Sequence, residues 1–163
     1  MTNRITQVSR GVVARDSENY FFEKRGKIMS DAIVRLNPST LPNAGEMGYS
    51  QISIVEPGRM AFVSGQVAWQ PNGEPVPDDL AEQMKLVSKN ARAALDALHA
   101  KPEHVVMARI YVTNLTSERL EELMPAFLET FDGAQPCVTG IGVQALAAPE
   151  LQVEMELIVR IPD

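Results

Sequence analysis

A chain of 163 residues, 45% hydrophobic and 22% charged, can bury one ordinary core and needs no second domain. It has no run of 18 apolar residues and no apolar N-terminal h-region, which speaks against a membrane span or secretory signal and points to a cytoplasmic protein. The single Cys137 excludes an intrachain disulfide, and two histidines without ligand spacing leave no basis for a metal site, so neither metal nor cofactor is expected.

Charge is unevenly placed. Residues 1–28 hold Arg4, Arg10, Arg15, Lys24, Arg25 and Lys27 against Asp16, Glu18 and Glu23; of 15 basic and 21 acidic residues in all, nine and 18 remain from Met29 onward, a formal −9. That balance is a poor footprint for phosphate backbones, so no nucleic-acid partner is expected. Residues 1–28 are set apart as an N-terminal extension: an arm, a basic tail for a partner, or sequence upstream of a start at Met29-Ser30. Three acids within it argue against a transit peptide. Residues 29–163 are expected to form one domain.

Asp31 to Glu46 is rich in turn formers, including Asn37-Pro38 and Pro42-Asn43, and reads as an irregular connector. Tyr49–Val55 and Met60–Ala68 are β-rich runs joined by Glu56-Pro57-Gly58-Arg59, whose Pro-Gly pair predicts a type II turn and a hairpin. A proline-rich loop from Trp69 to Pro77 follows. Asp78 or Asp79 is placed to cap a helix with Leu80, Met84, Val87, Ala91, Leu95 and Leu98 on one face, ended by Lys101-Pro102; such a stripe is core packing rather than a cofactor site.

Val105–Thr113 is apolar on both parities apart from Arg109, as in a central strand covered on both faces. Thr116-Ser117 caps a second helix with Leu120, Leu123, Phe127, Leu128 and Phe131 inward, kinked or divided at Pro125 and stopped by Gly133. Gln135–Val143 reads as a strand entered from a Pro-kinked loop. Leu151–Leu157 alternates strictly, with Gln152, Glu154 and Glu156 on one face. Those carboxylates are either solvent-facing or the acidic wall of a site. Two helices cover only one sheet face, so a second subunit is the simplest cover for the other.

Gly48-Tyr49-Ser50-Gln51, Phe62-Val63-Ser64-Gly65-Gln66, Gly73-Glu74, Val76-Pro77, Gln83 with Asn90, Tyr111-Val112-Thr113-Asn114-Leu115, Pro136 and Val153-Glu154-Met155-Glu156 together resemble the YjgF/RidA family, also called the L-PSP endoribonuclease family, from about Asn37 to Ile161. The resemblance implies a chorismate-mutase-like α+β two-layer sandwich, ββαβαββ, with both helices on one face of a mixed sheet. It also implies a homotrimer with three small-molecule clefts between subunits. Typical members hydrolyse reactive enamines and imines such as 2-aminoacrylate to 2-keto acids and ammonia. Glu154 falls on the family's water-positioning glutamate, Ser64 and Gly65 on its Ser-Gly, and Tyr49 on an aromatic residue at the substrate. The family's arginine in Pro-x-Arg-Ser/Thr, which forks onto the substrate carboxylate, is replaced: the motif here is Pro136-Cys137-Val138-Thr139. Loss of a bidentate contact worth about 2–5 kcal/mol predicts a fall of roughly 30- to 1,000-fold or more in carboxylate binding and turnover.

Three functions follow: a RidA-like deaminase of altered substrate, a non-catalytic metabolite-binding trimer, and, ranked below them, a ribonuclease or translation inhibitor. Arg109 is expected in the trimer interior, paired with Glu154 or Glu156 across the interface or acting as a substitute anion clamp. Cys137, beside the lost arginine, reads as a small buried hydrophobe rather than a nucleophile, since no histidine has a place next to it. His99 and His104 flank a surface turn. Trp69 packs at the hairpin end or the interface, or walls a ligand.

Overall fold

The computed structural model describes residues 32–163, so the extension assigned to residues 1–28 lies outside the described residues. The elements are β1 (Ile33–Leu36), β2 (Ile52–Val55), β3 (Met60–Gln66), α1 (Leu80–Ala97), β4 (Val105–Thr113), α2 (Ser117–Phe131), β5 (Cys137–Val143) and β6 (Val153–Arg160). A mixed four-stranded sheet has the order β3-β6-β4-β5, with β4 and β5 parallel and β6 antiparallel to both β3 and β4. The two helices pack together on one face of it, giving the expected α+β sandwich.

The expected hairpin does not form. β2 pairs antiparallel with β1, Ile33 opposite Val55, and β3 pairs with β6. A type II turn needs positive φ at its third residue, and Gly58 is not among the positive-φ residues. Instead Gly58 lies beneath the Arg160 guanidinium, which a Cβ there would meet at 2.5 Å. The segment read as a connector likewise contains β1 and a 3-10 turn at Ala44–Met47, so its turn formers separate short elements rather than filling a loop.

α1 begins where Asp79 Oδ1 accepts the Glu82 N–H at 2.8 Å, and buries Leu80, Gln83, Met84, Val87, Ala91 and Leu95. It ends at Ala97, before the expected Lys101-Pro102 stop: His99 turns left-handed (φ 51°), and the Ala100 N–H reaches Leu95 O at 2.9 Å, a Schellman closure. α2 runs unbroken through Pro125, which is exposed, so water can serve the carbonyl its missing N–H leaves free. Its buried face is Leu123, Ala126, Phe127, Thr130 and Phe131; Leu120 and Leu128 are exposed, contrary to the apolar spacing. On β4, Ala108, Ile110 and Val112 face the helices as expected. A register shift between Val105 and Met107 puts Val105 on that side too, against simple alternation.

The far face of the sheet carries apolar side chains that, at its β3 edge, no described residue covers. Phe62 is 78% exposed and Met60 37%, and the register sets Phe62, Ile158, Met107 and Cys137 in one row across the four strands. Exposed apolar side chains grouped on a regular sheet are the kind of surface at which proteins bind partners.

Candidate active site

The strict alternation of β6 sends Val153, Met155, Leu157 and Val159 into the core and turns Glu154, Glu156 and Ile158 to the open face. Next to it, the β3–β6 ladder runs from Val63–Leu157 to Gln66–Met155 and skips Ser64 and Gly65. This bulge frees the chain to bend, and the missing Cβ of Gly65 makes room for the Glu154 carboxylate. A Cβ on Gly65 would lie 1.7 Å from Glu154 Oε1 and 2.4 Å from its Cδ. Ser64, Gly65 and Glu154 therefore form one constellation: an acid held against bulged backbone, with the exposed Ser64 beside it.

One strand further, β4 sets Tyr111 opposite Glu154 and Arg109 opposite Glu156. Arg109 Nη1 donates to Glu156 Oε1, an ion pair within one chain rather than across an interface. That hydrogen bond holds the guanidinium pKa above its ordinary value, and Tyr111 adds to it. The open face thus carries two carboxylates, one guanidinium and one phenol between apolar rows.

The remaining predicted residues lie at the other edge of the sheet. Ser50 bridges to Cys137, and its N–H meets Pro136 O at 3.0 Å, which brings the half-exposed Tyr49 beside the start of β5. Cys137 Sγ is 3.3 Å from Ser53 Oγ, and no histidine is among its hydrogen-bond partners in the described residues. Val138 is in register with Ala108 and packs on the helix-side core, the face opposite Cys137. Two strands, β6 and β4, separate β3 from β5. At about 4.8 Å per strand spacing, the Tyr49–Cys137–Val138 group is roughly 10 Å or more from the Glu154 group. Within one chain the two halves do not meet.

Two residues quoted for their spacing alone turn out to brace the site. Gln83, fully buried, donates to Pro77 O (2.7 Å) and Glu150 O (2.8 Å) and accepts the Gln152 N–H (2.8 Å), fixing the chain as it enters β6. Asn90 donates to Val67 O (2.8 Å) and Trp69 O (2.9 Å), holding the exit of β3; Trp69 itself is half exposed. Polar residues seven apart on a helix share a face, and on a face that enters the core this was the available signal. Tyr111 carried no such signal, because its role depends on cross-strand register. His99 is exposed, and His104 Nδ1 accepts the Lys101 N–H at 2.9 Å, so both belong to the surface turn. No group of three His, Cys, Asp or Glu among the described residues could hold a metal ion.

The family model for Endoribonuclease L-PSP matches residues 41–161. The chain belongs to this family, the YjgF/RidA family. Its fold is similar to the crystal structure of the Rid family protein YyfB from Yersinia pestis, of unknown function, with TM-score 0.75 and 35% identity over 80% of this chain and 99% of that one. Protein DfrA of Myxococcus xanthus is 35% identical over 60% of this chain and 74% of its own length. A RutC family protein of Pyrococcus abyssi is 32% identical over 68% and 84% respectively. This YjgF/RidA chain has no helix among its described residues that is long and apolar enough to cross a membrane.

Proposed function

We propose that this YjgF/RidA protein is a cytoplasmic homotrimer that hydrolyses reactive imines or enamines in clefts between its subunits. The observation that carries the reading is the Glu154 carboxylate seated against the Gly65 bulge. A carboxylate there takes a proton from water as the water adds to the protonated imine, passes it to nitrogen, and then takes the hydroxyl proton as the carbinolamine collapses to carbonyl and ammonia. Backbone around Gly65 and the Ser64 hydroxyl offer donors for the developing charge. The trimer is supported by the exposed apolar side chains of Phe62 and Met60 on the open face of the sheet. Copies packed through their open faces would bring the β5 edge of one to the β3–β6 edge of the next.

Val138 packs on the helix-side core and supplies no charge to the open face, so the carboxylate fork that the resemblance implies is absent at this position. That residue also favours a second reading, a trimer that binds a metabolite without turning it over. Ribonuclease activity ranks below both, given the formal −9 after residue 28. The test is ammonia release from an imine generated in situ by a dehydratase acting on an amino acid. Acceleration by the wild type, lost by about 100-fold or more in Glu154→Gln, is expected. No acceleration by the wild type, with ligand binding retained, would establish the second reading instead.

A further inference from the structure

Arg109 lies where a substrate carboxylate could be received without the family's arginine, and we infer that it performs that task in this chain, so that the substrate is an imine bearing a carboxylate. The inference rests on the imine-hydrolase reading and names the residue that selects its substrate. Of the lysines and arginines in β3, β4, β5 and β6, only Arg109 and Arg160 occur. Arg160 is buried and commits its guanidinium to Pro57 O, Ile161 O and Asp163. Among the described residues of the four strands, Arg109 remains as the cation on the open face.

Its position relative to Glu154 is fixed by register. Arg109 opposes Glu156 and Tyr111 opposes Glu154, so Arg109 and Glu154 are diagonal neighbours. Diagonal pairs are about 7–8 Å apart at their roots, within reach of long side chains. The Glu154 carboxylate leans towards β3 and Gly65, away from the strand that carries Arg109. An α-imino acid has its carboxylate bonded directly to the carbon that water attacks, so a cation on one side and the water-directing acid on the other match its two ends. Glu156 engages Arg109 through Nη1 alone among its hydrogen bonds, and a guanidinium has five N–H donors, enough to keep Glu156 while forking onto a second carboxylate. Glu156 then acts as a competitor that limits the affinity of the guanidinium for a second carboxylate.

The test compares an α-imino acid with the matching imine lacking the carboxylate, generated by an amino-acid oxidase and an amine oxidase, and measures pyruvate binding by calorimetry. Arg109→Gln is expected to lower kcat/KM for the carboxylate imine by about 30-fold or more, to change the neutral imine less than threefold, and to weaken pyruvate at least tenfold. Arg109→Lys, which keeps the charge and loses the fork, should show a smaller loss of the same selectivity. Glu156→Gln, which removes the competitor, should tighten pyruvate. Equal losses on both imines, unchanged selectivity in Arg109→Gln, or weaker pyruvate binding in Glu156→Gln would overturn the inference. If the wild type hydrolyses neither imine, the hydrolase reading fails; pyruvate binding then decides for Arg109 alone, and pyruvate that does not bind, or binds Arg109→Gln as tightly, overturns it.

Discussion

Replacing Gly65 by alanine separates the reaction from the fold. The added methyl would sit 1.7 Å from Glu154 Oε1, against a floor of 3.0 Å for real contacts, so the carboxylate must retreat by at least 1.3 Å. The methyl also meets Glu154 Cδ at 2.4 Å and Cγ at 2.7 Å, so the Glu154 side chain must turn from its root; Gly65 is not in the left-handed region, so its backbone conformation suits alanine. Alanine in a strand also loses less conformational freedom than glycine, which offsets part of any crowding by roughly 0.5–1 kcal/mol. Stability should therefore stay within about 1 kcal/mol of wild type. A misplacement of about 1 Å at a reacting group costs on the order of 100-fold, and kcat/KM for imine hydrolysis should fall by that amount. Thermal unfolding and ammonia release measured on the same preparation check both halves. Activity within threefold of wild type would refute the reasoning, because Glu154 would then work from another position. Activity lost only together with the fold would refute it equally.

Gln83→Met keeps the volume but leaves Pro77 O, Glu150 O and the Gln152 N–H without their buried partner. A loss of about 3 kcal/mol is expected, which calorimetry should register as a Tm fall of roughly 6–12 °C. Glu118, in the first turn of α2, has its carboxyl held below its ordinary value of 4.5 by a backbone hydrogen bond and then by Thr116. A depressed carboxyl contributes stability that is complete above its unfolded pKa and is lost as pH falls through the folded one. Glu118→Gln should accordingly lower Tm at pH 7, with a deficit that shrinks as the pH falls below 4.5; a deficit independent of pH would deny the linkage.

What was legible in the sequence depended on how local its cause was. β6 was readable because Leu151, Val153, Met155 and Leu157 alternate against Gln152, Glu154 and Glu156, a signal contained in seven residues. α1 was readable from its stripe and the Asp79 cap, although its end was not, since His99 takes a conformation usually left to glycine or asparagine. The β2–β3 hairpin was misread because Pro57-Gly58 satisfies the composition of a type II turn while Arg160, over 100 positions away, dictates its geometry. Leu120 and Leu128 carried helical spacing yet lie outside the contact with the sheet, and Leu128 rests against Gly48 instead. Glu154 and Ser64-Gly65 were named by resemblance, but their contact rests on β3–β6 pairing across some 90 positions, which no local pattern encodes. The pairing of Arg109 with Glu156, rather than with Glu154, was set by register in the same way.

The central claim, a site completed only between copies, is tested most directly by Phe62→Arg, which places a charge on the most exposed apolar side chain of the open face. The wild type should sediment near three times 17.9 kDa and hydrolyse imine. The variant, with Glu154, Gly65 and the helix-side core untouched, should sediment as a folded monomer with no measurable hydrolysis. A folded monomeric variant that retains wild-type activity per chain would contradict the account.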